Sequence, residues 1–264
     1  MLRMVPVFFL ALVASIVCVV SSTRSQTAQT RVAVMGMIHG DHRTSETWGL
    51  PQVEAAIRAF NPDVVFAEIP PDRWPGIRQD WLERGVIEDS RLKRFPEYTD
   101  VLLPLMLELG FAVEPCAAWT RKMADDRRER IRQFEEAPRF AEQFAAYQRR
   151  EAEVEAEHAA HPIDESDPLV IHSTLYDQRS KESLQPYDEY LNDWIGDGGW
   201  THINQAHYDL IEAALARHRG ERVLITFGAA HKYWFLEKLN ERKDLQLIDL
   251  RPILVQARKI VSSK

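Results

Sequence analysis

The stretch VLITFGAAH, residues 223–231, decides the fold predicted for this chain. Its first five residues are an apolar run that is typical of a buried strand. Gly228 follows that run at once, and His231 comes three residues later. Glycine at the end of a strand lets the backbone turn sharply and pass close to a ligand. An imidazole at this place can bind a metal ion or carry a proton.

The same arrangement occurs near the other end of the sequence. Apolar residues 32–35 lead into Gly36-Met37-Ile38-His39, which again sets a glycine at a strand exit and a histidine three residues on. A single Gly-x-x-His is weak evidence, but two copies in the same strand-then-loop context indicate a shared role. We therefore predict that distant segments of the chain meet at one functional site.

The rest of the pattern predicts an α/β domain. Strands and helices alternate with short links, which favours a mostly parallel or mixed central sheet flanked by helices. Pro51 suits a first helical position, and Asn61-Pro62 ends that helix. The predicted strands are residues 32–35, 64–67, 111–114, 223–227 and 245–248, and the predicted helices are residues 51–60, 100–109, 203–214 and 232–240.

A largely helical insertion interrupts this alternation at about residues 121–200. Residues 121–161 are dense in Arg and Glu and indicate a helix split at Pro138, with most charges on a solvated face. Residues 163–199 hold many turn formers without a clean period, and we consider them a lid over the site. Residues 29–264 are thus expected to form a single α/β domain with a helical insertion.

The first 28 residues have the features of an export signal. Arg3 supplies a positive start, residues 5–20 carry no charge, and Ser21-Ser22-Thr23 supplies small residues for cleavage. The apolar core is intermediate in length between a signal peptide and a minimal membrane span, so an uncleaved N-terminal anchor is the alternative. The sequence predicts a secreted or periplasmic protein, in contact with a membrane only if the leader is retained.

Composition excludes several classes of function. The 264 residues are 45% apolar and 28% charged, as in an ordinary soluble domain. The net charge of −7 becomes −9 without Arg3 and Arg24 of the leader, which argues against nucleic acid as a partner. Cys116 is the one cysteine outside the leader, so no intramolecular disulfide is expected. The usual signatures of serine hydrolases, zincins and nucleotide-binding proteins are absent.

Candidate site residues follow from the position of the strand ends. Ligands of open parallel sheets lie beyond the carboxyl ends of the strands, which places His39, Glu68 and His231 together. Glu114 and Cys116 follow the third strand and are expected at the same edge. Two histidines and a carboxylate are a common ligand set for a catalytic divalent metal ion, whose bound water loses a proton near neutral pH.

Each candidate also has a structural interpretation. His39 could be a hydrogen-bonded loop histidine, His231 could cap the following helix, and Glu68 could pair with a structural arginine. The accessory candidates are Asp41 and His42, which could instead be exposed loop residues, and Asn204, which could orient substrate. We expect His207 to be a satisfied core histidine, and we expect His158 and His161 to be solvated residues of the acidic segment.

The motifs GMIH at residues 36–39, VVFAEI at residues 64–69 and VLITFGAAH at residues 223–231 resemble the TraB/Tiki group, which is related to the ChaN and erythromycin-esterase-like families. The resemblance implies an α/β fold in which His39, Glu68 and His231 line one pocket. It implies a metal-dependent peptidase using manganese or cobalt in Tiki-like members, with zinc as a further candidate. Resemblance to other branches of the group implies pheromone-related inhibition, haem binding or ester hydrolysis. Ile203-Asn204-Gln205 stands here in place of the arginine-containing motif of the group.

Three functions remain open from the sequence. The first is an exported, metal-dependent hydrolase of a peptide or ester bond, with His39 and His231 as metal ligands and Glu68 as ligand or general base. The second is a non-catalytic protein that binds haem or a small ligand in the same pocket. The third is a membrane-anchored interaction protein whose working surface is residues 121–161.

Overall fold

A computed structural model describes residues 29–263 of the chain. The predicted leader, residues 1–28, lies outside the described residues. Within residues 29–263, no helix combines the length and the apolar character needed to cross a membrane.

Five parallel strands form one sheet, which confirms the predicted α/β class. The order across the sheet is β3-β2-β4-β1-β5, so the two strands that precede the Gly-x-x-His motifs are neighbours. Met37 at the end of β1 pairs with Gly228 at the end of β4. The strands are β1 (Thr30–Met37), β2 (Val64–Ala67), β3 (Ala112–Pro115), β4 (Arg222–Gly228) and β5 (Leu245–Leu247).

Ten α-helices surround or extend this sheet among the described residues. They are α1 (Leu50–Phe60), α2 (Trp74–Arg84), α3 (Leu103–Leu109), α4 (Arg121–Glu136), α5 (Ala141–Ala160), α6 (Pro168–Ile171), α7 (Thr174–Ile195), α8 (Trp200–Arg217), α9 (Lys232–Asn240) and α10 (Arg251–Ser262). The sequence patterns did not predict α2 and α10. Only Ile77 is buried in α2, so its apolar period is faint.

Both faces of the sheet are buried, as expected for parallel strands. Side chains alternate along β1, so that Ala33 and Met35 enter one core while Val32 and Val34 enter another. Helices α1, α3 and α10 contribute to the first core, and helices α8 and α9 contribute to the second. The strand ends are therefore held rigidly between two packed layers.

The insertion is helical, as predicted, and its break lies at Pro138. Helix α4 ends at Glu136 and α5 begins at Ala141, with a single 3-10 turn between them. Most of residues 163–199, where the sequence shows no clean helical period, forms the 22-residue helix α7. Ser173 caps α7 by accepting a hydrogen bond from the Tyr176 N–H. Packing in an apolar cluster with α4 and α5 outweighs the poor helical pattern of α7.

The helix predicted for residues 100–109 has two parts. A π-helical turn, Glu97–Leu102, precedes α3, and Pro104 lies in the first turn of α3. The two parts are continuous, since the Leu103 N–H donates to the Tyr98 carbonyl, and the proline lies where the π-helical hydrogen bonding ends. The π-helical turn buries Glu97 and Tyr98 under the edge of the sheet at which the two motifs end.

Candidate active site

The two Gly-x-x-His motifs pack against each other at the carboxyl ends of β1 and β4. A Cβ atom at Gly228 would lie 2.8 Å from Nε2 of His39, and a Cβ atom at Gly36 would lie 3.1 Å from Cα of Ala229. Each glycine therefore makes room for the other motif. The glycines are the penultimate residue of β1 and the last residue of β4, so both strands run slightly further than predicted, and this close approach is the physical reason for glycine at each place.

His39 is fixed between two carboxylates. Its Nδ1 lies 2.6 Å from Oε1 of Glu97, and its Nε2 lies 3.6 Å from Oε2 of Glu68. Phe95 stacks on the imidazole with ring centroids 4.2 Å apart. The backbone of His39 has φ 51°, the left-handed region that few residues adopt, so the surroundings hold this residue in place.

The charge of His39 is controlled by these two carboxylates. Burial disfavours the imidazolium, but the hydrogen bond to Glu97 and the negative charge of Glu68 outweigh burial and raise the pKa of His39. The Glu97 side chain is completely buried. A cation at His39 therefore compensates a carboxylate that water does not reach.

Glu68 follows the last residue of β2 and lies at the centre of the site. Its Oε2 accepts a hydrogen bond from the Gly228 N–H at 2.9 Å, and its Oε1 accepts one from Nη2 of Arg91 at 3.3 Å. Burial raises the pKa of this carboxyl, but the charge of His39 and the Gly228 N–H outweigh burial, and the net pKa is lowered. Glu68 is thus a carboxylate at neutral pH.

His231 is held by an amide in place of a carboxylate. Its Nδ1 lies 2.6 Å from Oδ1 of Asn204, whose amide nitrogen donates to the Trp200 carbonyl at 2.8 Å. Since Oδ1 of Asn204 accepts, Nδ1 of His231 carries the proton and Nε2 is left with a free lone pair. Trp200 stacks on the imidazole with centroids 4.6 Å apart. Burial lowers the pKa of His231 to about 4, although the charge of Glu68 opposes that shift.

His207 lies beside His231, and its core position agrees with the expectation from the sequence. Its Nδ1 accepts a hydrogen bond from the Ala118 N–H at 2.8 Å, and the two imidazole centroids are 5.3 Å apart. Burial lowers the pKa of His207 to about 3, so the ring is neutral. Its Nε2, however, is buried without a hydrogen-bond partner in the described part of the chain, so His207 is only partly satisfied.

Two charged residues of the site, Arg91 and Glu97, have no signal in the sequence. Arg91 lies between α2 and the π-helical turn, with its guanidinium 5.6 Å from the centre of the Phe95 ring. Burial lowers the pKa of Arg91, and the charge of Glu68 opposes that shift. Both residues come from a segment without a motif, and only tertiary packing brings them to the strand ends.

The accessory candidates have different positions. Asn204 contacts His231 and thereby orients that imidazole. His42 is buried and has no ring nitrogen left for a ligand, because Nε2 accepts from the Ile38 N–H at 3.1 Å and Nδ1 lies 2.6 Å from the Trp48 carbonyl. Asp41 is exposed. The hypothesis that Asp41 and His42 join the site is therefore not supported by their contacts.

The third strand does not supply site residues, so that expectation is wrong. The carboxylate of Glu114 is bound by Nη2 of Arg217 at 2.6 Å and by Nε2 of His218 at 2.8 Å. Cys116 is buried in the second core, and burial raises the pKa of its thiol. The side chains of both residues point toward the layer formed by helices α8 and α9 and not toward His39.

The donor atoms for a metal ion are only partly assembled. Among residues 29–263, no three His, Cys, Asp or Glu side chains form a group that could hold a metal ion. The nearest two potential ligand atoms are Nε2 of His39 and Oε2 of Glu68, 3.6 Å apart. His231 lies near enough for the negative charge of Glu68 to act on its pKa.

No protein-family model, no curated protein and no solved structure matches this chain. The chemistry assigned to the site therefore rests on its own residues.

Proposed function

We propose that this protein is an exported, metal-assisted hydrolase of peptide or ester bonds with His39, Glu68 and His231 as its catalytic residues. One observation carries the proposal: both motif histidines are fixed through Nδ1, by Glu97 and by Asn204. Metal-binding and catalytic histidines are oriented in this way, with the other ring nitrogen left for the chemistry. His42, by contrast, uses both ring nitrogens for contacts with the backbone.

The pair of His39 and Glu68 fits a divalent metal ion. Two ligands on a tetrahedral ion at 2.0–2.2 Å are about 3.4 Å apart, close to the 3.6 Å between Nε2 and Oε2. Glu68 and Glu97 are two buried carboxylates, and Arg91 offsets only one of them. A proton on His39 or a bound divalent cation would balance the negative charge of the second carboxylate. When bound, manganese, cobalt or zinc would lower the pKa of a coordinated water.

Three side chains of the site supply the other functions that hydrolysis requires. Neutral His231 can accept a proton from the attacking water at Nε2 and return it to the leaving group. Glu68, which remains a carboxylate, can orient that water through its oxygens. Arg91 supplies a fixed positive charge for the carbonyl oxygen as negative charge develops on it.

The same residues carry the resemblance to the TraB/Tiki group, and we propose shared chemistry on that basis. Export through the predicted leader would place this chemistry outside the cytoplasm.

A hydrolysis assay tests the proposal. A panel of peptides and esters is incubated with the purified protein after chelation and after addition of Mn²⁺, Co²⁺ or Zn²⁺. We expect metal-dependent turnover that falls about 100-fold or more in Glu68→Gln, because a general base or ligand contributes about 10²–10⁴-fold. His202→Ala is the control, since His202 is exposed and contacts only the insertion.

Two results would contradict the proposal. Turnover that Glu68→Gln leaves intact would exclude the site as the catalytic centre. No turnover on any substrate, together with a His231-dependent absorbance change on addition of haem, would instead support the non-catalytic binding protein.

A further inference from the structure

A cavity of about 510 Å³ lies between helix α7 of the insertion, the start of α8, and α9. Trp200, Tyr233 and Trp234 contribute aromatic walls, and Asp188 and Glu237 contribute carboxylates. The cavity is large enough for an amino-acid side chain with part of its backbone.

Trp200 connects this cavity with the candidate active site. Its ring stacks on His231 at an interplanar angle of 22°, and its Nε1–H donates to the Tyr233 hydroxyl at 2.7 Å. One indole ring therefore separates the cavity from the imidazole. A group bound in the cavity would therefore be separated from His231 by the Trp200 ring alone.

The lining of the cavity is negatively charged. It carries three acidic side chains and a single basic one, Lys181, which pairs with Glu237 at 2.7 Å. Asp188 accepts hydrogen bonds from the Thr201 hydroxyl at 2.7 and 2.8 Å, but no basic side chain of residues 29–263 lies within ion-pair distance of it. Asp188 is thus a partly buried carboxylate without a counter-ion.

Tyr233 adds a hydroxyl group to the lining of the cavity. Because the hydroxyl oxygen accepts from Trp200, its own hydrogen is free to donate into the cavity. Aromatic faces next to a carboxylate that has hydrogen bonds from Thr201 but no ion-pair partner within residues 29–263 favour a cationic group over a neutral or anionic one.

We propose that this cavity is a substrate subsite for an alkylguanidinium or alkylammonium group, such as an arginine or lysine side chain of a peptide. The inference names the substrate class of the hydrolase and rests on that proposed function for turnover. Binding of the cation depends only on the cavity. The two claims can therefore fail separately.

Direct binding is the first test. Isothermal titration calorimetry measures the affinities of n-butylguanidinium and of n-butylurea, a neutral ligand of similar shape. The ratio of the two affinities gives the effect of the positive charge. We expect the cation to bind at least about tenfold more tightly, and we expect Asp188→Asn to remove about tenfold of that preference. Asp193→Asn on the same helix is the control, because the Asp193 side chain is 98% exposed.

Two further variants keep this test decisive. Glu237→Gln removes an exposed carboxylate at the rim of the cavity and should weaken binding of the cation about threefold. This variant tests the subsite even if Asp188→Asn does not fold. His39→Ala should bind the cation like the wild type, because His39 is outside the cavity. Equal affinity for the two ligands, or an unchanged preference in a folded Asp188→Asn, would overturn the subsite.

Turnover is the second test. Matched ester or peptide substrates with arginine or citrulline at the same position should differ at least about tenfold in kcat/KM, and Asp188→Asn should abolish that difference. Cation binding without turnover on any substrate would refute the hydrolase and leave the cavity as a binding site. Turnover without preference and without cation binding would refute the subsite and leave the hydrolase.

Discussion

His39 and His231 end identical Gly-x-x-His motifs on neighbouring strands, but their imidazoles have opposite acid–base properties. His39 contacts Glu97 through Nδ1 and faces Glu68, and its pKa is raised. His231 contacts neutral Asn204 through Nδ1, and its pKa is lowered to about 4. The difference lies entirely in the residues that fold against each motif.

This difference gives the two histidines separate roles. His39 stands where positive charge is stable, which is where a proton or a metal ion is held. His231 is neutral at physiological pH and keeps a free lone pair, as a proton acceptor requires. A repeated sequence motif can thus supply an electrophilic and a basic position in one site.

The largest effect is expected from Gly228→Ala. Its new Cβ would lie 2.8 Å from Nε2 of His39 and would displace that ring from Glu68. We expect a loss of at least about 100-fold in kcat/KM, because small displacements of catalytic groups are costly. Gly76→Ala is the matched control, since nothing lies within 4 Å of its Cβ position. Equal activity of the two variants would show that the contact between the motifs is unimportant.

Glu97→Gln should make His39 resemble His231. A neutral acceptor would no longer favour the imidazolium, so the raised pKa of His39 should fall, as NMR titration of the ring can measure. Partners of this kind contribute about 10–100-fold to metal affinity or activity, and we expect a loss of that size. A His39 pKa that does not change in the folded variant would contradict the role assigned to Glu97.

The opposite exchange, Asn204→Asp, should make His231 resemble His39. An anionic acceptor at Nδ1 should raise the pKa of His231 above about 4 and move the acidic limb of the pH–rate profile toward neutral pH. We expect about tenfold lower activity at pH 6 and a smaller loss at pH 8. A profile identical to that of the wild type would exclude His231 as the base.

The pH dependence of stability should differ in sign between the two histidines. The pKa of His231 is about 4 when folded and 6.5 when unfolded, so the unfolded chain binds the proton and stability falls as pH decreases from 6.5 to 4. His231→Gln should flatten that slope by at most about 1.4 kcal/mol per pH unit in urea unfolding. His39, with its raised pKa, stabilises the fold below pH 6.5, and that contribution is lost as pH rises through its folded pKa. If His39→Gln flattened the same acidic slope, the assigned difference would be wrong.

Local patterns predicted the elements that position the site. Strand β2 and helix α9 have the predicted bounds. Both are specified by local signals in the sequence, an apolar run followed by proline for β2 and a helical period for α9. Within the predicted helical insertion, the bounds of helix α7 could not be predicted, since its stability comes from packing against α4 and α5. Pro104 did not end the predicted helix but coincides with the change from π-helix to α-helix.

The site itself was only partly predictable. His39, Glu68 and His231 follow strands, so the rule for parallel sheets places them at one edge. That rule failed for Glu114, because it locates the strand end but not the side to which a residue points. Arg91, Glu97 and His207 reach the site through tertiary packing alone, and they account for much of its charge and polarity.

The central claim is that His39 and Glu68 hold one catalytic divalent metal ion, beside which neutral His231 acts as the base. Elemental analysis of protein purified without chelator tests it most directly, with the wild type compared with His39→Ala and His231→Ala. We expect about one metal ion per chain in the wild type and in folded His231→Ala, and little in folded His39→Ala. The same metal content in all three proteins would contradict the claim.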